Sequence, residues 1–346
     1  ATGYQVGDIK LATLSDTDTT NVTGSELVTN GTFDSNTTGW NAGTSTLSQT
    51  SGKAKVLSPS GGWVSAYQAI TTVVGKLYTI STSVDPTTGG SLNGADVLVQ
   101  NSSTLGVSSV ILIGPVTHGT SATILSGTFT ATATTTYIHL RSKAYASNEY
   151  TLFDNVTVRL AEEDRSWNGN GLQVFGTVTK SAVATGADLV GYSFGSNTNY
   201  LEQPYNSDLD FGTGDFSVMC WVKPDTSMSA YPSIVDRYVS ANNESTAWLL
   251  KIAEGTSSYY FYSNNTSIFT ATGKVQFGVW QQVMAVRRSG VLYFYLNGRL
   301  EETGAMTHSI TSSGAKLKVS KDATHHLGNS NLALLRISAT APTEEQ

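Results

Sequence analysis

The sequence predicts an all-β protein that consists of two antiparallel β-sandwich domains in tandem, with very little helix. Across its 346 residues, short segments that alternate apolar and polar residues recur between turns rich in Gly, Asn, Ser and Pro. Long windows of Glu, Lys, Leu and Ala, which soluble helices favour, are missing. The 39% of hydrophobic residues exceeds what a disordered chain contains.

Composition and charge exclude several classes of function. The net charge of −6 disfavours nucleic acid as a partner, because binding to phosphates requires a basic surface. No run of 18 apolar residues occurs, so the sequence predicts no insertion into a membrane. Cys220 is the single cysteine, which rules out an internal disulfide, and we expect it to be a small buried hydrophobic group.

Two segments are predicted to lie outside the domains. Residues 1–22 are too few for a core of their own and are predicted to be the end of a preceding segment or a linker. Because the chain begins at Ala1 with no Met and no signal peptide, we expect a piece of a longer or processed protein. The charged stretch AEEDRSWNGNG at 161–171 is predicted to link a domain at 23–160 to a domain at 172–346.

The first domain contains segments that alternate apolar and polar residues or are rich in β-branched residues. Its predicted strands are AKVLS, WVSAYQAI, KLYTISTSV, ADVLVQN, VSSVILI, GTFTATATTTYIHLRS and LFDNVTVRL. Because side chains alternate along a strand, the segment TYIHLRS places Tyr137, His139 and Arg141 on one face. Ile138 and Leu140 then lie on the opposite face.

The second domain contains more segments of the same kind and the strongest local signal in the chain. Its predicted strands are LQVFGTVTK, LVGYSF, NYLEQ, DFSVMCWVKP, YPSIVDRYV, AWLLKIA, SYYFYSN, SIFTATG, WQQVMAVRR, VLYFYLN, RLEETG, AKLKVS and LALLRISA. Asn297-Gly298 lies between two alternating strands, which is typical of a type I′ hairpin. Ser289-Gly290 links the preceding strand in the same way, so three consecutive strands are predicted to form a meander.

The two ends of the first domain resemble a known family. The stretch from Glu26 to Trp40, ELVTNGTFDSNTTGW, closely resembles the start of carbohydrate-binding modules of families 4, 9 and 22, which open with an Asn-Gly-x-Phe-Glu/Asp strand and Gly-Trp. Those modules close with an Asp-Asp/Asn-Val strand, which LFDNVTV at 152–158 matches. The resemblance implies one jelly roll of about 130 residues and is weaker for sugar binding than for the fold.

The second domain resembles the concanavalin A-like, laminin G-like sandwich over 172–341. The matching pieces are FSVMCWVKP, WQQVMAVR, LYFYLNG and LALLRI, in the order and spacing of that family. The family continues into a short acidic helix, which APTEEQ at 341–346 is expected to begin. The segments NYLEQPYNSDLDFGTGDFSV and RISATAPTEEQ resemble the corresponding sequences of such domains in structural proteins of tailed phages.

The sequence carries no motif for hydrolysis, and we predict that the chain is not an enzyme. Glycosidases of family 16, which share the concanavalin A-like fold, carry Glu-x-Asp-x-x-Glu on one strand, and this sequence has no such motif. Asp208 and Asp210 lie two residues apart in a turn and are interpreted as solvated turn carboxylates. His325 and His326 are adjacent, so a strand would point them apart and a shared metal is not expected.

A structural calcium ion is the one cofactor that the resemblance implies. In the resembled modules, such an ion bridges the first and last strands, and the matching acidic residues here are Asp34 and Asp154. Calcium takes six to eight oxygen ligands, so backbone carbonyls and neutral side chains would complete the site. The open alternative is that Asp34 begins a turn and Asp154 caps the end of a strand.

Aromatic residues supply the candidate ligand contacts. A sugar ring stacks its C–H face on an aromatic side chain, while amides and carboxylates bind its hydroxyls. Trp40 matches the Gly-Trp of the resemblance and is expected in the core. Because tyrosine also suits protein–protein interfaces, that use remains open for the tyrosines. The predicted ligand-binding residues are Trp63, Tyr67, Tyr137, Tyr145 and Tyr260.

Four functions are consistent with these patterns. The first is a non-enzymatic glycan-binding or adhesion segment of a phage virion surface or tail-fibre protein, which would act as a homo-oligomer or within a larger assembly. The second is a glycan-binding accessory region of a secreted bacterial polysaccharide-degrading enzyme or an adhesin. The third is a purely structural spacer, and the fourth, an autonomous glycosidase or lyase, is disfavoured by the missing carboxylates. The first two predict a polysaccharide or cell-surface glycan as partner and a virion-surface or extracellular location.

Overall fold

The structure is a computed structural model that describes residues 12–14, 16–85, 94–107, 109–116, 122–163, 170–238, 247–253, 257–264, 266–269, 273–312, 314–322 and 325–342. The described residues form antiparallel strands and one short 3₁₀ turn, Ser207–Leu209, which confirms the all-β prediction. Among them, no helix reaches the length and apolar character that crossing a membrane requires.

The strands are numbered in chain order. They are β1 (Ala12–Leu14), β2 (Val22–Gly24), β3 (Thr46–Thr50), β4 (Lys53–Leu57), β5 (Gly62–Thr71), β6 (Leu77–Asp85), β7 (Gly94–Gln100), β8 (Ser109–Val116), β9 (Thr123–Thr130), β10 (Thr135–Ala144), β11 (Tyr150–Glu162), β12 (Leu172–Ala182), β13 (Val190–Ser193), β14 (Tyr200–Gln203), β15 (Phe216–Lys223), β16 (Ser233–Tyr238), β17 (Trp248–Ala253), β18 (Ser258–Ser263), β19 (Thr266–Phe269), β20 (Gln281–Arg288), β21 (Val291–Leu296), β22 (Arg299–Ala305), β23 (Lys316–Val319) and β24 (Asn331–Ser338).

The chain divides into two compact units. The first sandwich comprises residues 25–161, and the second sandwich comprises the described residues of 1–24 and 162–346. The segment predicted to be a leftover end therefore contributes strands, because β1 pairs with β24 and β2 pairs with β12. Most of the predicted linker at 161–171 lies outside the described residues, as does the acidic end at 343–346.

The first sandwich is built from two antiparallel sheets. One has the strand order β3-β4-β11-β6-β9, and the other has the order β5-β10-β7-β8. Apolar side chains from both sheets, such as Phe153 and Leu140, meet in one core. Trp40 is buried in this core beside Phe33, with 5.4 Å between ring centres, as the sequence predicted.

The opening segment of the first sandwich differs from the predicted strand. Residues 25–40 form bends and turns, in which Asn30 and Phe33 take the left-handed backbone conformation with φ of 53° and 50°. The carbonyl of Gly31 accepts a hydrogen bond from the amide of Val156 at 2.9 Å. A Cβ atom on Gly31 would lie 2.0 Å from the Val156 carbonyl oxygen, so only glycine fits this close approach. The opening loop and β11 are thereby joined.

The second sandwich also has two antiparallel sheets. The first sheet has the order β12-β13-β24-β15-β20-β21-β22, and the second has the order β12-β14-β23-β16-β17-β18-β19. Cys220 and Phe294 of the first sheet are fully buried in one core with Leu250 of the second. Burial raises the pKa of the Cys220 thiol to about 12, so this cysteine is an unreactive hydrophobic group, as predicted.

The predicted meander is present. Asn297 and Gly298 have φ of 51° and 77°, and Ser289 and Gly290 have φ of 49° and 77°, which confirms positive φ in both two-residue turns. The register pairs Leu296 with Arg299 directly across the Asn297-Gly298 turn.

Candidate functional site

The candidate site lies on the side of the β5-β10-β7-β8 sheet that faces away from the core. The strand register places Lys143 opposite Trp63, and Arg141 opposite Asp96. Since side chains alternate along each strand, these residues share one face, and the valines and leucines between them enter the core. Together these side chains form the aromatic face, which consists of Trp63, Tyr67, Asp96, Tyr137, Arg141 and Lys143.

Trp63 is held by an ion pair that crosses two neighbouring strands. The Arg141 guanidinium lies 4.3 Å from the centre of the Trp63 ring. Its Nε and Nη2 atoms donate to the two carboxylate oxygens of Asp96 at 2.5 and 2.6 Å. A bidentate contact of this kind fixes the orientation of the guanidinium, which in turn limits the rotation of the indole. Trp63 nevertheless remains 37% exposed, so part of its surface is open to a ligand.

The two cations of the aromatic face differ in whether an acidic side chain pairs with them. Asp96 is almost completely buried, and burial raises the pKa of its carboxyl while the Arg141 guanidinium lowers it. Lys143 is half-buried, with Nζ 5.6 Å from the centre of the Trp63 ring. No acidic side chain forms an ion pair with Lys143 in the described part of the chain. The face therefore carries one compensated cation and one uncompensated cation beside the same indole.

Tyr67 and Tyr137 extend the aromatic face away from Trp63. Both are half-buried, and their rings pack edge to face with 5.9 Å between centres. Tyr145 lies one residue beyond β10 and is 67% exposed. The backbone of Tyr145 lies beside Gly61, next to the start of β5, so this tyrosine is at the same end of the sheet as Trp63. Three of the five predicted ligand-binding aromatic residues, Trp63, Tyr67 and Tyr137, thus share one face of a single sheet, and Tyr145 lies at the end of that sheet where Trp63 is located.

His139 shares this face but has a structural role. Its Nδ1 atom lies 3.1 Å from the Ser65 hydroxyl, and its Nε2 atom lies 3.1 Å from the Ser102 carbonyl oxygen. The Gln100 amide donates to the carbonyls of Ser102 and Thr104, both at 2.6 Å. Burial lowers the pKa of His139, which keeps the imidazole neutral. These bonds hold the loop at 101–106 against His139 and Gln100.

Tyr260 is a correction to the predicted site. It lies on β18 in the second sandwich, where its side chain is 8% exposed, and burial raises the pKa of its hydroxyl. The register places it opposite Lys251 on β17 and Phe269 on β19. Because so little of the side chain is exposed, Tyr260 does not offer a stacking surface.

Asp34 and Asp154 are brought near each other. Burial raises the pKa of Asp154, and the negative charge of Asp34 raises it further. The backbone amide of Asn155 and the positive charge of Lys53 act in the opposite direction and lower this pKa. The Thr32 hydroxyl donates to Asp34 at 2.7 Å, and Asn155 donates to both carboxylate oxygens of Asp154. Asp154 lies inside β11 at a bulge rather than at a strand end.

The carboxylates of Asp34 and Asp154 supply part of a calcium site. Carboxylate oxygens retain a second lone pair after accepting a hydrogen bond, so both aspartates can also bind a cation. Among the described residues, no His, Cys, Asp or Glu joins them to make a metal-binding group of three. The remaining ligands would therefore be carbonyl or hydroxyl oxygens of the opening loop and the bulge.

The sequence interpretation missed Asp96 and Lys143. An aspartate inside the otherwise apolar strand ADVLVQ is a signal of a paired carboxylate, because a lone charge is rarely buried. Lys143 continues the alternating series of Tyr137 and Arg141. Among the described residues of this face, Asp96 is the only carboxylate, and Arg141 occupies both of its oxygens. The face can stack a ring and donate hydrogen bonds, but it offers no pair of carboxylates for hydrolysis.

Solved structures share limited similarity with the chain. Domain 4 of AbnA, a GH43 extracellular arabinanase from Geobacillus stearothermophilus solved in complex with arabinotriose, has a TM-score of 0.42 and 16% identity, over 52% of this chain and 89% of that domain. The receptor binding domain of botulinum neurotoxin D has a TM-score of 0.42 and 14% identity, over 54% of this chain and 49% of that one. The chain thus spans about half the length of the toxin domain. Scores at this level assign no function.

No curated protein sequence matches the chain. One protein family does match, over residues 194–346, and it is described as the Concanavalin A-like lectin/glucanases superfamily. This range begins directly after β13 and falls within the second sandwich. Residues 194–346 are therefore similar to that family, and the second sandwich has a concanavalin A-like fold.

Proposed function

We propose that the chain is a non-enzymatic glycan-binding segment and that the aromatic face of the first sandwich is its binding site. The observation that carries this proposal is the exposed Trp63 ring, which the Arg141–Asp96 pair holds in place. An indole stacks well on the C–H face of a pyranose. Because the ring is already fixed, binding costs little additional side-chain entropy.

The other residues of the aromatic face supply the remaining contacts. Arg141 uses Nε and Nη2 for Asp96, so its remaining N–H donors are available for sugar hydroxyls. Tyr67 and Tyr137 offer partly exposed rings and hydroxyls farther along the sheet. The exposed Tyr145 provides a second apolar surface at the end that Trp63 occupies. The arrangement suits several consecutive sugar units of an extended chain.

The biological setting is proposed from the family resemblance of both domains. We propose a virion-surface or tail-fibre protein of a tailed phage, in which the chain acts within a homo-oligomer or larger assembly and attaches to glycans of a host surface. The tandem of a module-like jelly roll and a concanavalin A-like domain supports an attachment role. We also propose that Asp34 and Asp154 hold a structural calcium ion that joins the opening loop to β11.

A glycan array with the intact chain tests the binding site. We expect Trp63→Ala to weaken binding about tenfold or more, since central aromatic residues dominate such interfaces. Phe277→Ala is the matched control, because Phe277 is an exposed aromatic residue of the second sandwich, and it should bind as the unmodified chain does. The proposal is wrong if the chain binds no glycan, or if Trp63→Ala binds as well as the control.

A further inference from the structure

The cations beside Trp63 point to a more specific ligand. Arg141 and Lys143 both belong to β10 and both approach the indole, at 4.3 and 5.6 Å from the ring centre. Among the described residues, Arg141 has an acidic partner, the buried Asp96, and Lys143 has none. The pair is neutral as a unit, so the net charge beside the exposed ring comes from Lys143.

The charge of Lys143 is left for a ligand. Several other lysines of the described chain pair with an acid at short range, such as Lys53 with Asp85 at 3.0 Å and Lys316 with Glu202 at 2.7 Å. Glu149, an acidic residue near the end of β10, is turned to the backbone, since it accepts hydrogen bonds from the amides of Tyr145 and Ala146. Within the described ranges, the ammonium of Lys143 therefore adjoins the stacking surface without a paired carboxylate.

We propose that the aromatic face selects an acidic polysaccharide, in which a sugar carboxylate binds Lys143 while its ring stacks on Trp63. This inference rests on the proposed glycan-binding function. A uronate ring has the apolar C–H face that the indole requires, and its carboxylate projects from the rim of the sugar ring. Because Arg141 and Lys143 both lie over the Trp63 ring, the sugar would stack on the part of the indole that remains exposed, with its carboxylate directed towards Lys143. The sugar carboxylate would supply the ion-pair partner that the described residues do not give to Lys143.

The same geometry disfavours a neutral glycan as the preferred ligand. A neutral sugar would bring no charge to Lys143, and stacking would remove water from around the ammonium without replacing it. The chain as a whole has a net charge of −6, so an acidic polymer is repelled at long range and gains affinity only from a local cation. Selectivity for the acid therefore depends on Lys143.

Binding to polygalacturonate and to its fully methyl-esterified form tests this inference, because esterification removes the charge and keeps the sugar backbone. We expect the intact chain to bind the acidic polymer about threefold to tenfold more tightly, as partly exposed ion pairs contribute modestly. Lys143→Gln should remove this preference, and Lys143→Arg should retain it. Lys76→Gln should leave it unchanged, because Lys76 is an exposed lysine in the turn before β6. Raising the salt concentration should reduce the preference in the same way.

The outcomes separate this inference from the proposed function. Equal binding of both polymers, lost in Trp63→Ala, would overturn acid selection and leave glycan binding in place. A preference that survives Lys143→Gln would also overturn acid selection at this residue. Binding of neither polymer, together with no binding to a wider array of acidic and neutral glycans, would overturn both proposals.

Discussion

Nη1 of Arg237 lies 2.6 Å from Oδ1 of Asp210, and the side chain of Arg237 is fully buried in the second sandwich. Burial lowers the pKa of Arg237, and Asp210 opposes that shift. The same carboxylate accepts hydrogen bonds from the Tyr205 hydroxyl at 2.8 Å and the Ser312 amide at 3.0 Å. Asp210 is thus the counter-ion of a buried cation, whereas the sequence interpretation made it a solvated turn residue.

Removal of this counter-ion is expected to destabilise the protein strongly. Asp210→Ala leaves a buried guanidinium without its partner, which costs about 3–5 kcal/mol of unfolding free energy. Chemical denaturation followed by tryptophan fluorescence measures the change. Asp208→Ala is the control from the same turn, since Asp208 is exposed, and it should cost less than about 1 kcal/mol. Similar losses in both variants would contradict the assignment.

The hairpin at Asn297-Gly298 gives a second prediction. Gly298 has φ of 77° and nothing within 4 Å of a Cβ atom built on it, so a larger side chain meets backbone strain without a steric clash. Gly298→Val should therefore cost about 1–2 kcal/mol, while Gly298→Asn should cost less because Asn tolerates this conformation. The melting temperatures of the two variants and the unmodified chain, measured by thermal unfolding, test this difference. Equal melting temperatures for the valine variant and the unmodified chain would show that the turn is not strained.

Asp236 predicts a dependence of stability on pH. Complete burial raises the pKa of this carboxyl to about 8. The hydrogen bond from Ser233 and the positive charge of Lys318 act in the opposite direction and lower it. The folded state therefore favours the neutral acid, so the stability from this group is fully present below pH 4 and is lost as the pH rises to about 8. Asp236→Asn keeps the neutral form at every pH.

We expect the free energy of unfolding of Asp236→Asn to exceed that of the unmodified chain by about 2–4 kcal/mol at pH 9 and by much less at pH 5. Urea denaturation at both pH values measures the difference between the two proteins. A difference that is the same at both pH values would show that Asp236 does not titrate in this range.

The proposed calcium site gives a fourth prediction. An ion between Asp34 and Asp154 would remove the repulsion that adds to the raised pKa of Asp154, and its effect should be on stability. At free calcium 100-fold above the dissociation constant, the stabilisation is about 2.7 kcal/mol. EDTA should then lower the melting temperature of the intact chain, and Asp154→Ala should remove that response. Identical melting curves in calcium and in EDTA would leave both aspartates as residues of a loop and a bulge.

The alternation of apolar and polar residues predicted most of the strands. It also predicted that Tyr137 and Arg141 share a face, because this alternation depends only on the local sequence. The partner of Arg141 could not be predicted, since Asp96 lies on a strand that is far away in sequence and becomes a neighbour only through the sheet order. The opening loop was misjudged because Phe33 adopts positive φ, which its residue type disfavours and the surrounding packing imposes.

Two further differences have similar causes. Strand β2 is three residues long and pairs with residues 176–178, so neither its length nor its immediate sequence indicates it. Tyr260 belongs to an aromatic run that looks exposed when it is considered alone. Its burial depends on tertiary packing, which the alternation of SYYFYS does not encode.

The pairing of β1 with β24 determines how the protein responds to tension along the chain. Ala12 pairs with Ile337 and Leu14 with Leu335, so a pull that enters before β1 and leaves after β24 opens the ladder one hydrogen bond at a time. Residues 25–161 lie within a loop of chain that the β1–β24 and β2–β12 pairings close. The second sandwich therefore bears the load first, and the aromatic face of the first sandwich keeps its shape until those short ladders have separated.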